Sequence, residues 1–185
     1  VFTFVGNIDT NTFKPLVETY LGNLPSIKRK ETYKDLGIRP PTGIVEKIIT
    51  RDMLDARAHV FISFTGEYDY NPKTKLLFDA IRDILSVRYV ETIREDESGT
   101  YGVSVRNNHM HYPANRYQTD ISFNCSPLNA DKLAKIALEE IEKLRTNGPE
   151  EKYLANFKTN KLKELDEKLK ENEFWKTSIN STYYN

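Results

Sequence analysis

The order of elements in this 185-residue chain predicts an α+β fold, an antiparallel or mixed sheet with helices packed on one face. Three observations carry that reading. Residues 117–125 alternate strictly, with Tyr117, Thr119, Ile121, Phe123 and Cys125 on one side and Gln118, Asp120, Ser122 and Asn124 on the other. A second alternating run, Tyr101, Val103 and Val105, precedes it closely enough to form a hairpin. Two consecutive helical patterns then finish the chain, an order that opposes a doubly wound nucleotide-binding sheet.

The elements follow in order. Val1-Phe2-Thr3-Phe4-Val5 reads as a buried strand, and Gly6-Asn7-Ile8-Asp9 as a turn in which Asp9 or Thr10 caps a helix. Phe13, Leu16, Val17, Tyr20 and Leu21 supply that helix with an apolar face, ended by Gly22 and Pro25. Residues 26–43 lack periodicity and read as a linker. They separate residues 1–25, the end of a preceding α+β subdomain, from a second subdomain over 44–185. Strands are expected at 44–50 and 58–66, the latter central because both of its faces carry apolar groups. Asn71-Pro72 supplies an N-cap and a first-turn proline for a helix whose face is Leu77, Ala80, Ile81, Ile84 and Leu85 and which persists to about Ile93. After the hairpin, joined over 107–115, one helix buries Leu133, Ile136, Ala137, Ile141 and Leu144 and stops at Asn147-Gly148. Pro149 begins the last, built on Leu154, Phe157, Leu162, Leu165 and Leu169. Acidic and basic residues interleave along both helices, the pattern of a solvated face.

Composition narrows the chemistry. With 27 basic and 27 acidic residues the formal net charge is zero, which removes the footprint of a general nucleic-acid binder. One Cys excludes an internal disulfide framework, and no apolar run approaches the roughly 18 residues of a membrane span. Of three His, His109 and His111 are two apart and offer at most two metal ligands; both are expected on the exposed hairpin, and His59 as a hydrogen-bonded core residue. Cys125 reads as a small buried hydrophobe, and no nucleophile elbow or phosphate-cradling loop occurs. By itself the chain reads as non-catalytic. The chain opens on an apolar run without an initiator Met and closes on the aromatic-rich Ser181-Thr182-Tyr183-Tyr184-Asn185, so a fragment of a longer protein is expected.

One segment departs from this. In residues 93–103 an apolar-faced helix delivers Arg94, Gly99 turns the chain, and Tyr101 opens a strand. Taken locally, Arg94 serves the helix C-terminus and Tyr101 is a half-buried strand aromatic; equally, a fixed cation beside a phenolic donor suits a carbonyl or anionic oxygen.

Leu85, Arg88, Arg94-Glu95, Gly99 and Tyr101, read as helix, Arg-Glu, Gly and Tyr, resemble the C-terminal half of the pitrilysin/insulinase family of zinc metallopeptidases, the inverzincins. Phe4-Val5-Gly6-Asn7-Ile8-Asp9 followed by Leu21-Gly22-Asn23-Leu24-Pro25 is similar to the family's subdomain ending, and Asn147-Gly148-Pro149-Glu150-Glu151 to its late helix start. The resemblance implies two homologous α+β halves around a chamber, with zinc held by His-x-x-Glu-His in the other half and none in this one. It implies that Tyr101 donates to the scissile carbonyl and that Arg94 and Gly99 hold the peptide. The expected partners are a zinc-binding half or subunit and a peptide, with no nucleic acid and no membrane. A bacterial parent would be periplasmic. His-x-x-Glu-His is absent here, and the alternative is a proteolytically inactive homologue acting as a scaffold or interaction domain.

Overall fold

The computed structural model describes residues 1–27, 32–52, 54–95, 100 and 102–184, without the side chains of Arg94, Glu95 and Tyr184. These residues form two compact units, one of residues 1–34 with 160–185 and a larger one of 35–159.

The larger unit holds a three-stranded antiparallel sheet of β1 (Ala58–Glu67), β2 (Val103–Met110) and β3 (Arg116–Cys125), in the order β1-β3-β2. β3 is therefore central. Register aligns Val60, Phe123 and Val103 in one row across the sheet and Ile62, Ile121 and Val105 in the next. These rows face the helices α2 (Pro72–Tyr89) and α3 (Ala130–Asn147). Leu85, Tyr89, Ile93, Leu133 and Ala137 complete a core with Cys125 at its edge. Tyr89 is fully enclosed, and its hydroxyl donates to the Ala137 carbonyl at 2.9 Å, satisfying the one polar group this large side chain brings inside. At the next row a buried Thr119 donates to Asn107, whose amide donates to the Phe78 carbonyl at 2.6 Å and ties the sheet to α2.

Helix ends follow local chemistry. Asn71 accepts from the Thr74 amide at 2.9 Å, and Pro72 occupies the first turn of α2. Gly148 closes α3 at φ +71°, a conformation that favours glycine, and its amide donates to the Leu144 carbonyl. Gly66 is required for a different reason: a Cβ there would lie 2.7 Å from the Tyr117 ring packed across the strand pair.

The last turn of α2 does not simply stop. Val90–Glu95 continues it as a π-helix, carrying Ile93 fully into the core.

In the smaller unit, Asp9 caps α1 (Thr10–Tyr20) by accepting from the Asn11 amide, and Phe4 meets Phe13 edge to face at 5.0 Å. The Thr3 hydroxyl donates to Asn180 of α5 (Asn172–Tyr184). The final helices are α4 (Glu151–Lys168) and α5.

Several expectations need correction. Residues 1–5 and 44–50 form no strand; Val1, Phe2, Ile44, Ile48 and Ile49 are exposed. An extended apolar run becomes a strand only by pairing, and neither run pairs with another among the described residues. β1 is an edge rather than central, and its second apolar face is Phe61, exposed to solvent. The buried face of α2 is Ala80, Ile84, Leu85 and Tyr89, leaving Leu77 and Ile81 exposed. The strands of the hairpin run on to Met110 and resume at Arg116, shortening the connection. Finally, the aromatic stretch beyond Leu169 is a separate helix, α5.

Candidate functional site

Backbone geometry places Arg94 on the π-helix, next to the buried Ile93; the Arg94 side chain, Gly99 and Tyr101 lie outside the described residues. What is described is the base of that segment. The Thr92 hydroxyl donates to the Arg88 carbonyl at 2.8 Å, and the Val90 amide donates to the carbonyls of Ser86 and Val87. Beside it, the Arg88 guanidinium reaches three elements. Nε and Nη2 donate to Glu140 Oε2 on α3 at 2.8 and 2.7 Å, and Nη1 donates to Glu150 Oε1 at 3.0 Å. Nη1 also lies 3.5 Å from the Tyr153 hydroxyl on α4. That hydroxyl donates to Glu91 Oε2, the second residue of the π-helix, at 2.5 Å.

Glu140 is only 2% exposed. Burial pushes its carboxyl up, but hydrogen bonds from Lys143 (2.7 Å) and Arg88 outweigh that and hold it below the usual carboxylate range. Arg88, Glu140, Glu150 and Tyr153 line a cleft of about 140 Å³ with Ile84 and Leu144.

None of Arg88, Glu91, Glu140 and Tyr153 stood out as a site residue in the sequence. A signal did exist for Glu140, which occupies the buried stripe of Leu133, Ala137 and Leu144 at a spacing where a solvated charge does not belong. Tyr153 lies one turn before the buried Phe157.

The histidines are arranged differently from expectation. His59 is exposed and pairs with Asn124 at 2.9 Å, because β1 is an edge strand. His111 stacks on Tyr70 with centroids 4.6 Å apart, and its Nδ1 lies 2.6 Å from Asn115 Oδ1. His109 is not an exposed hairpin residue. It packs among Tyr68, Phe78 and, through them, Tyr117, and both ring nitrogens are buried without a hydrogen-bond partner among the described residues. Desolvation lowers its pKa below the ordinary 6.5, against Asp79 and with help from Lys75 and Arg82. A histidine held neutral contributes fully above its unfolded pKa; as pH falls through 6.5 the unfolded chain takes up the proton first and stability is lost. The urea midpoint should therefore drop between about pH 7.5 and pH 5, and drop less in His109→Phe. An equal drop in the variant would assign the loss elsewhere.

Among the described residues no three His, Cys, Asp or Glu side chains converge into a group that could hold a metal ion. Cys125 is a free, buried thiol whose pKa is raised by desolvation. On the sheet face away from the helices the polar groups pair with one another: Ser63 and Gln118 both donate to Asp120.

Residues 1–161 match the model of the peptidase M16 inactive domain. The chain belongs to this family. Curated relatives of this inactive domain include the probable zinc protease PqqL of Haemophilus influenzae, 28% identical over 171 residues that cover 89% of this chain and 18% of the relative. The zinc protease PQQL-like protein of Arabidopsis thaliana is 22% identical over 184 residues, 92% of this chain and 19% of that protein. In the crystal structure of the periplasmic protease PqqL from Escherichia coli, 96% of this inactive-domain chain superposes with a TM-score of 0.75 at 22% identity, covering 19% of that chain. The fold is thus that of part of an M16 protease, and the chain spans less than a fifth of the relatives it matches. The α+β class and the pitrilysin-type resemblance both hold.

Proposed function

We propose that this inactive domain is the substrate-holding, non-zinc part of a zinc metalloendopeptidase and closes over a peptide against a zinc-binding half or partner subunit. Membership of the M16 inactive-domain family over residues 1–161 is the observation that carries this reading, and relatives named zinc proteases support it. Among the described residues no donor set fits zinc, and in this reading the metal is held by the zinc-binding half or partner subunit, as the relatives' names support. Within the longer chain, residues 1–25 end a preceding subdomain, with which 160–185 also group, and the sheet-bearing residues 44–159 build the next, with 26–43 between them. The name of the solved periplasmic relative supports a periplasmic site of action for a bacterial parent.

In this reading Tyr101 donates its phenolic hydrogen to the scissile carbonyl oxygen as negative charge develops there. Arg94 holds a neighbouring substrate carbonyl or orients Tyr101, and Gly99 lets the chain turn close to the peptide. Such donors act on the transition state more than on the bound substrate, so their loss lowers kcat. Tyr101→Phe in the full-length protein should reduce cleavage of an internally quenched peptide by about a hundredfold. Unchanged turnover would remove the catalytic role and favour a scaffold.

A further inference from the structure

We infer that Glu91 and Tyr153, backed by Arg88 and Glu140, are positioning residues that set the π-helix bearing Arg94. The inference rests on the proposed role of Arg94 and goes beyond it, since no side chain of this cluster touches peptide in that reading.

Three observations converge. A π-helix is a rare, locally widened stretch of an α-helix, frequently found at functional sites. Here its second residue, Glu91, accepts the short 2.5 Å hydrogen bond from Tyr153 on another helix. The residue two before the π-helix, Arg88, is itself clamped between a buried carboxylate on α3 and Glu150 at the start of α4. Ile93, fully enclosed, fixes the opposite side. Thus the turn that presents position 94 is held from α3, α4 and the core. A core helix end needs no such set of charges; buried ionic contacts of this kind add little to stability compared with apolar packing, whereas they hold geometry through directional bonds.

Positioning matters because a displacement of about 1 Å at a substrate-holding group can cost about a hundredfold in rate. Glu91→Ala and Tyr153→Phe in the full-length protein should each lower kcat for an internally quenched mixed-sequence peptide pool about tenfold. KM should change less than threefold, and the thermal midpoint should stay within a few degrees. Glu91→Gln, which keeps an acceptor for Tyr153, should restore most of the rate. In an Arg94→Ala background the Glu91 and Tyr153 substitutions should cost nothing further, since they act through the group already removed.

The outcomes separate the two ideas. Should Arg94→Ala leave cleavage intact, or the unaltered protein cleave no peptide, the proposed function fails and this inference with it. Should Arg94→Ala be slow while Glu91→Ala and Tyr153→Phe keep full rate, or add their full loss to that of Arg94→Ala, the inference alone is overturned.

Discussion

Arg88→Ala should destabilise the larger unit by about 3–5 kcal/mol, read as a lower urea midpoint at unchanged slope. The reason is what it leaves behind. Glu140, with 2% exposure, receives two bonds from the Arg88 guanidinium on Oε2 and one from Lys143 on Oε1. Removing the arginine strands a buried carboxylate with a single, largely exposed cation, and an uncompensated buried charge is far more costly than the pair is favourable. Lys143→Ala removes a side chain that is 58% exposed and should cost under about 1 kcal/mol. The double variant Arg88→Ala/Glu140→Leu should recover most of the loss, because neither charge then remains inside. If the single and double variants were equally unstable, the packing of the arginine stem rather than its charge would be responsible. Acid should act on the same contact. The lowered pKa of Glu140 means that its contribution is present above the unfolded value of 4.5 and disappears as pH falls through the lower folded value.

The sheet and its first helix were legible because their signals are local. Alternation over 117–125 puts Thr119, Ile121, Phe123 and Cys125 on one face, and the structure buries all four side chains. Asn71-Pro72 and Gly148 mark helix ends by conformational requirements that act within a few residues. Pairing is not local, so the equally apolar run at 44–50 looked like a strand yet lies exposed, and the two-sided pattern of 58–66 looked central yet forms an edge. The family resemblance was legible from the order of Arg94, Gly99 and Tyr101. The network around the π-helix was not, since Arg88 lies 52 positions from Glu140 and Glu91 lies 62 from Tyr153, separations that a local pattern does not reveal. A charge on a buried stripe, as at Glu140, is the pattern that points to such a partner.

Phe123→Ala is expected to cost about 3–5 kcal/mol, the range for deleting a large aromatic from a packed core. Phe123 is 2% exposed and sits on the central strand, with Val60 and Val103 opposite it on either side. Collapse into the space is restricted, because both flanking strands are held by their own ladders and the helices above are pinned by Tyr89 and Leu133. On the other face of the same sheet, Phe61 is 58% exposed, and Phe61→Ala should stay within about 0.5 kcal/mol of the parent. The comparison uses one residue type in one sheet, so the large difference expected between the positions follows chiefly from burial, with the edge position of Phe61 a smaller contribution. Comparable losses at both positions would show that the open face is covered in solution and that the three-stranded sheet has a second packed layer.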